Sequence, residues 1–494
     1  MYYLGIDLGS SSIKIALVEI NSGKSVGVVQ EPEQEMSMLA MEVGWAEQDP
    51  MDWWSHVCTG IKKLKKKYKV GAGEIKGIGI AYQMHGLVVV DKNGNPLRKS
   101  IIWCDSRAVN IGNVAYDEIG PNFCDTNLLN SPANFTASKL KWVKDNEPEI
   151  YNRIHKIMLP GDFIAYKLSN QINTTISGLS EGIFWNFKRD TIAYEVLDHF
   201  GFDHSLIPDI VDTFSIQSTV SQSGADESGL MVGTPILYRA GDQPNNALAL
   251  NVFHPGEVAA TGGTSGVVYA VTDNLSVKES ARVNNFAHVN YNSDSCKNIG
   301  KLLCINGAGI QYRWLLNNLA VASYEEMNEL AEEMPVGSEG VCVIPFGNGA
   351  ERMLENREIG TRILNLNLNV HSKANICRAA LEGIAFSFVY GIEIMKSDGI
   401  EAKLIRAGND NLFRSRVFSD TIATLIGQEI EIYNTTGAIG AARAASLVDG
   451  DYQKFSGYMA NDHVLTYTPL TDKEPYQKAY NNWKKELELI LIKK

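Results

Sequence analysis

"GIDLGSSSIKIALVEI", residues 5–20, reads as a strand, a turn of small residues and a second strand. Ile13, Ile15 and Leu17 alternate with polar or small neighbours, the period-two signature of a half-buried strand. "NSGK" (21–24) supplies the next turn, so the chain opens as a meander of three short strands with Asp7 just before the first turn. The pattern returns at 257–271, "EVAATGGTSGVVYAV": strand, Gly/Thr turn, strand. Two related α/β halves facing a cleft would produce this echo, and the boundary between them is placed near residue 248. The expected domains are therefore 1–248 and 249–494. No repeat of 20–50 residues is visible.

The stretches around the two hairpins fit such halves. "MDWWSHVCTGIKKLKKKYK" (51–69) follows "EQDP" and predicts a helix with Trp54, Val57, Ile61 and Leu64 on one face and its lysines in solvent. "IKGIGIAYQMHGLVVVDKNGNPLR" (75–98) predicts a strand, a loop, a second strand and an Asn-Gly turn. "SKLKWVKDNEPEI" (138–150) predicts a helix ended by Pro148, and a new element starts after Pro160. "TPILYRAG" (234–241) is a strand leading into "DQPNNALALN". Further on, "SKANICRAALEGIAFSFVYGIEIM" and "FRSRVFSDTIATLIG" carry helical patterns on either side of the strand and turn "KLIRAGNDN".

Composition narrows the function classes. The 494 residues are 45% hydrophobic and 21% charged, ordinary for a globular chain with well-formed cores. A net charge of −12 argues against a nucleic-acid binder, which needs a basic face. Seven cysteines, an odd number without a CxxC pair, fit reduced thiols rather than a disulfide framework or a zinc site. "MYYLGIDLGS" has no basic n-region, and no apolar run approaches membrane-spanning length, so a cytoplasmic protein without a membrane partner is expected.

Familiar nucleotide signatures are missing. "NSGKS" ends like a Walker A loop, but Val18 stands where the first glycine is required, and no GxGxxG follows a strand. Tight hairpins of small residues offer another phosphate device, because successive backbone N–H groups in a turn form an anion-binding hollow. "DLGSSS" and "TGGTSG" both have that smallness. "GLSEG" (178–182) matches the GxSxG of serine hydrolases, which would need Ser180 with an Asp and a His such as Asp242, Asp273 or His288. The polar "INTTIS" before it is a poor strand. Gln83, Met84, His85 and Gly86 sit at a strand end, the usual place for pocket residues in α/β folds. Trp103, Asp105 and Arg107 in "IIWCDSRA" combine an aromatic plate, a carboxylate and a guanidinium. Those groups suit a polyol, but on these residues alone a buried Trp beside a surface ion pair is the preferred reading. Asp242, at the end of "TPILYRAG", is either the cap of the next helix or a base that takes a proton from a substrate hydroxyl.

These motifs, in order from "GIDLGSSSIK" through "GWAEQDP", "YQMHGLVVVD", "IIWCDSRA", "YRAGDQPNNA", "TGGTSGVV" and "FGNGAERM" to "IRAGNDNLFRSRVFSDTIATLIG", resemble the FGGY carbohydrate kinases, and among them the xylulokinases. The resemblance implies an α/β, two-domain, ribonuclease-H-like and actin-like ATPase fold with a deep cleft. It implies a sugar-binding N-terminal domain, a nucleotide-binding C-terminal domain, and ATP with Mg²⁺ as cofactors. It carries the metal-organising and catalytic carboxylate onto Asp7, and the first phosphate turn onto Gly9, Ser10 and Ser11. Ketose contacts fall on Met84 and His85, with Trp103, Asp105 and Gln243 alongside, and the catalytic base on Asp242. The second phosphate turn falls on Gly262, Gly263 and Thr264, and the adenosine motif on Gly408, Asn409 and Asn411. Homodimers are common in the family and carry over as an expectation. The chain departs from the family at Arg406 and Ala407, which replace two glycines of the adenosine motif, and at Thr175, where an acidic residue is usual.

The expected reaction is ATP-dependent phosphorylation of a ketopentose, D-xylulose to D-xylulose 5-phosphate first, with ribulose, fuculose, gluconate and glycerol as rival substrates. The rival class is an actin-like ATP-binding protein with no sugar substrate.

Overall fold

The protein is described by a computed structural model over residues 1–492, with Asn411 described in its main chain only. Its first sheet starts with the expected meander: β1 (Tyr2–Leu8), β2 (Ile13–Glu19) and β3 (Ser25–Glu31), with Asp7 paired to Lys14 and Leu8 to Ile13 across the first hairpin. β4 (Ile75–Tyr82) lies parallel to β1, and β6 (Pro235–Gly241) parallel to β4, while β5 (Phe214–Thr219) closes the edge antiparallel to β6. The order is β5-β6-β4-β1-β2-β3. Helix α1 (Pro50–Tyr68) is capped by the Asp49 side chain and buries Trp53, Trp54, Val57, Ile61 and Leu64. The long crossover between the parallel strands β4 and β6 holds α2 (Thr136–Asn146), α3 (Pro160–Ser169) and α4 (Ile176–Glu181).

Helix α5 (Asp242–Ala249) leads to a second sheet that repeats the first. β7 (Glu257–Gly262) and β8 (Gly266–Thr272) form the hairpin. β9 (Asn284–Ala287) and β10 (Ile299–Ile305) extend that side, and β11 (Leu404–Gly408), β12 (Ile430–Tyr433) and β13 (His463–Tyr467) the other. β11 is parallel to β7 and β12 parallel to β11, as β4 and β6 follow β1. The order is β9-β10-β8-β7-β11-β12-β13. The echo at residues 9 and 263 is thus a whole-sheet repeat, the two-domain ribonuclease-H-like, actin-like architecture. Between β10 and β12 lie α6 (Gly309–Asn318), α7 (Tyr324–Glu332), α8 (Lys373–Ser397) and α9 (Arg416–Ile426).

Packing does not follow sequence throughout. Helix α10 (Gly437–Ala444), late in the chain, lies on β1, β2 and β4 of the first sheet and against α5. Its backbone comes so close that a Cβ on Gly5 would sit 1.9 Å from the Ala438 carbonyl oxygen, and one on Gly79 1.8 Å from that of Ala441. Strand β9 crosses in the same sense. Asn285 N–H donates to Asn130 Oδ1 (2.8 Å), and Ala287 N–H to Ser180 Oγ (3.0 Å). These two links tie the main chain of β9 to side chains of the first half. Among the described residues no helix is long and apolar enough to cross a membrane.

Candidate active site

Asp7 and Asp242 meet where the halves join. β1 and β6 both end here, so each delivers a carboxyl at its carboxyl end. Asp242 opens α5 just after the cap residue Gly241, and its carboxyl accepts hydrogen bonds from Gln243 and from its own N–H. Burial, with the neighbouring Asp7 charge adding to it, pushes Asp242 up to about 7, against hydrogen bonds from Gln243. Burial also raises Asp7, opposed by Lys14. The start of α10 abuts Asp7 and the second turn of α5: a Cβ on Gly437 would lie 2.5 Å from Asp7 Oδ2 and 3.1 Å from Asn246 Oδ1. Asn245 Nδ2 donates to the Gly437 carbonyl at 3.0 Å. Two carboxyls held above their ordinary range by burial form a donor pair that a divalent cation would relieve, so these residues fit Mg²⁺. Among the described residues no group of three or more His, Cys, Asp or Glu side chains is placed to hold a metal ion.

The first hairpin is held by side chains. Gly9 N–H donates to Ser12 O (3.1 Å), closing the turn. Gln48 Nε2 donates to Ser10 O (2.6 Å) and Trp103 Nε1 to Ser10 Oγ (3.3 Å). Gln48 Oε1 in turn accepts from Trp53 Nε1 (3.1 Å) and Gln83 Nε2 (3.2 Å). The turn that carries Ser10 and Ser11 is therefore tied to the loop of Trp103 and to the strand end at Gln83.

That strand end is a left-handed turn. His85 has φ +61°, a conformation that costs a non-glycine residue energy unless its surroundings hold it. Its N–H donates to Glu181 Oε2 (3.2 Å), and its Nδ1 lies 3.0 Å from the Glu181 carbonyl oxygen. The ring packs on Phe135 and on Phe286 of β9, with centroids 4.8 and 5.3 Å away. Burial and then the Lys139 charge bring its pKa down to about 3, so the imidazole is neutral. A carbonyl at Nδ1 assigns the proton to that nitrogen, leaving Nε2 as an acceptor for a hydroxyl. Met84, 5% exposed, lies beside His85.

Trp103 is half exposed, whereas Asp105 is wholly buried. The Asp105 carboxylate accepts from Ala46 N–H (2.5 Å), Arg107 N–H (2.9 Å) and the Arg107 guanidinium (2.6 Å). Arg107 stacks 3.8 Å above the Trp45 ring and pairs with Glu47 (2.7 Å). A carboxylate so fully engaged does not face a ligand, contrary to the expectation for Asp105; it locks the loop that presents Trp103.

The second hairpin is held by the main chain of α6 and by the Asp410 carboxyl. Gly309 and Ile310, at the start of α6, donate N–H groups to the Gly263 (3.1 Å) and Thr264 (2.9 Å) carbonyls. Gly262 N–H donates to Asp410, whose carboxyl burial pushes up to about 6. Behind this turn opens a cavity of about 430 Å³, lined by Gly263, Thr264, Tyr312, Tyr324, Asn328 and Arg414 among others. Tyr312 and Tyr324 stack at 5.6 Å, and Tyr312 Oη donates to Asn328 Oδ1 (2.9 Å). Gly408 ends β11; Asn409 N–H donates to Tyr433 O (2.8 Å), and Arg414 donates to Asn409 O (3.1 Å). The Asn411 side chain lies outside the described residues. Arg406 pairs with Glu431 (2.8 Å) and does not line the cavity, so its replacement of a glycine leaves the pocket open.

The hydrolase pattern has no triad. Ser180 Oγ donates to Ser177 O and accepts from Ala287 N–H, while His288 is wholly buried with Nδ1 on Tyr269 Oη and Nε2 on Val252 O. Thr175 caps α4 through Gly178 N–H (3.1 Å). The residue of "GLSEG" that matters is Glu181. Sequence reasoning passed over it, and over Lys139, because each sits in a stretch read for another pattern. It also missed Tyr312, Tyr324 and Asn328, which share no motif. Gly437 had a legible signal in the small-residue run "TTGAIGAARAA".

Residues 2–249 match the N-terminal domain of the FGGY family of carbohydrate kinases, and residues 258–447 its C-terminal domain. The chain is 31% identical over 403 residues to the xylulose kinase of Staphylococcus epidermidis (strain ATCC 12228 / FDA PCI 1200), covering 81% of this chain and 78% of that one. It is 26% identical over 498 residues to the xylulose kinase of Haemophilus influenzae, covering 97% and 98%. The crystal structure of xylulose kinase from Rhodospirillum rubrum superposes with a TM-score of 0.87 over 99% of both chains at 22% identity, a likeness of fold.

Proposed function

The chain belongs to the FGGY family of carbohydrate kinases, and from that premise we propose that it transfers the γ-phosphoryl group of ATP to the terminal hydroxyl of a ketopentose, D-xylulose in the first place. The observation that carries this reading is the carboxyl pair Asp7 and Asp242, set between the His85 turn and the α10 start, with the second glycine hairpin serving the nucleotide.

In this reading the ketose lies against Met84, neutral His85 and Trp103, with His85 Nε2 accepting from a sugar hydroxyl. Asp242 orients the attacking hydroxyl and takes its proton as the new O–P bond forms and the bond to ADP breaks. A carboxyl held near 7 is well matched to that task at neutral pH. Asp7 holds the side of the site where Mg²⁺ would sit; the bound ion supplies charge neutralisation at the phosphates. The turns at 9–11 and 262–264 offer N–H groups to phosphate oxygens. Adenosine occupies the cavity beside Tyr312 and Tyr324. Transfer of this kind depends on positioning and on excluding water, so the two domains, 1–248 and 249–494, close over the substrates.

A coupled assay of ADP release with D-xylulose, L-xylulose, ribulose, fuculose, gluconate and glycerol tests the reading. The expected result is the highest kcat/KM with D-xylulose. A preference for a polyol or an aldonic acid would reassign the substrate, and no stimulation by any of them would favour the sugar-free ATP-binding class.

A further inference from the structure

Lys139 has no exposed surface, and burial brings its pKa down to about 7. It sits on α2 among Ala137, Leu140 and Val143, in the apolar core of the first half. Its Nζ donates to two main-chain carbonyls, His85 O at 2.8 Å and Ile102 O at 3.0 Å. Its hydrogen-bond partners include no carboxylate. Taking a lysine head group out of water is unfavourable, so its retention here asks for a reason beyond packing.

Both carbonyls belong to the loops that face the sugar in the reading above. One is that of His85 itself, and φ +61° turns the peptide group of this residue out of the strand direction. The other precedes Trp103 and Asp105. On its opposite side His85 is held by Glu181, through the backbone N–H (3.2 Å) and ring Nδ1 (3.0 Å). His85 is thus gripped at its carbonyl, its amide and its imidazole. The ionisable groups around Lys139 are Asp105, Cys104 and Arg107 on the Trp103 loop, Glu181 on α4, and His85. Arg107 pairs with Asp105 and Glu47, and among the described residues Lys139 is the lysine or arginine that donates to these two carbonyls.

We propose that Lys139 is a positioning residue for sugar recognition: with Glu181 it clamps His85 in its left-handed turn and couples that turn to the Trp103 loop, without touching the sugar. This rests on the reading that His85 contacts the substrate. The clamp gives the non-glycine residue at this turn contacts that hold its left-handed backbone and its imidazole.

The test is a double-mutant cycle on purified full-length protein. Lys139→Met keeps the length and apolar stem of the side chain and removes its donors. It is expected to lower kcat/KM for the preferred sugar by about 10- to 100-fold, through KM for sugar, with KM for ATP within about 2-fold of wild type. In a His85→Ala background the same substitution is expected to cost no more than about 3-fold, because the group it positions is gone. Equal losses in both backgrounds, or a parallel rise in KM for ATP, would show a lysine that merely supports the fold and would overturn the proposal. ¹⁵N-histidine spectra supply a readout independent of turnover. The His85 signal, assigned by its loss in His85→Ala, should report one Nδ1-protonated tautomer in wild type and shift or broaden in Lys139→Met. An unchanged signal there would overturn the clamp. Absence of kinase activity in the wild type would instead refute the kinase reading, and the spectra would still decide the clamp.

Discussion

The two hairpins are the same piece of chain geometry used for different work. In each, two antiparallel strands meet at a turn of small residues and a parallel strand follows beside the first. Two positions before the first turn stands Asp7; by strand register Thr261 holds the matching place ahead of the second. The first turn is fixed by side chains, Gln48 and Trp103, that lead to the sugar-facing loops. The second is fixed by the main chain of α6 and by Asp410, which lead to the tyrosine-lined cavity. In the proposed reading, one repeat carries a carboxyl in its own strand and serves the sugar side, and the other carries Thr261 there and serves the nucleotide. Fold symmetry therefore says where the phosphates can pass, while the residues around each turn say which end of the reaction it serves.

The largest expected effect lies on the sugar side. Asp242→Ala should lower kcat about 10²- to 10⁴-fold while leaving ATP affinity and the melting temperature near wild type, as read by coupled assay, calorimetry and thermal unfolding. Near-normal turnover would remove Asp242 from the chemistry. Asp7→Asn should cost on the order of 10²-fold and raise the Mg²⁺ concentration needed for half-maximal rate, because one charge of the donor pair is lost. An unaltered Mg²⁺ dependence would break the assignment of the first hairpin to the metal.

On the nucleotide side the effects should fall on ATP alone. A Cβ at Gly309 would sit 2.2 Å from the Gly263 carbonyl oxygen, so Gly309→Ala must displace the second turn. KM for ATP should rise about 10-fold with KM for sugar unchanged, about 1.4 kcal/mol of lost binding. Tyr324→Ala removes one ring of the stacked pair and should raise KM for ATP about 2- to 10-fold, matching about 0.5–1.5 kcal/mol for an aromatic contact. If either variant changed KM for sugar instead, the division between the hairpins would fail.

The smallest effect concerns the seam between the halves. His288 is fully buried and its pKa is pushed down to about 3 by burial, against an ordinary value of 6.5. The folded state keeps it neutral while the unfolded chain protonates below about 6.5, so its contribution is complete above that pH and is lost as the pH falls towards 3. His288→Gln should lower the melting temperature at pH 7.5, and the gap to wild type should narrow as the pH is lowered through 6.5 to 4.5. A constant gap would mean that His288 is not held neutral by the fold.

How much of this was legible in the sequence follows from the range of each interaction. The hairpins, α1, and the strand ends at Gln83 and Gly241 are local patterns, and alternation and turn chemistry reveal them. The Asp7–Asp242 meeting joins positions 235 residues apart and came into view only through the resemblance. Asp105 looked like a pocket carboxylate because sequence cannot show that Arg107 and the Ala46 amide use it up. Lys139 lies in a stretch read only as a helix ended by Pro148, since nothing local marks a lysine whose partners are distant carbonyls. Helix α10 is a case between: its run of small residues hints at close packing, but not that the sheet it packs on is the first.

The division of labour between the hairpins is tested most directly by hydrogen–deuterium exchange with one ligand at a time. With ADP and Mg²⁺ alone, protection is expected at 262–266, 309–313 and 324–328, with little change at 83–86 and 102–107. With the preferred ketose alone, the pattern should reverse. Protection of 83–86 by ADP without protection of 262–266 would contradict the account.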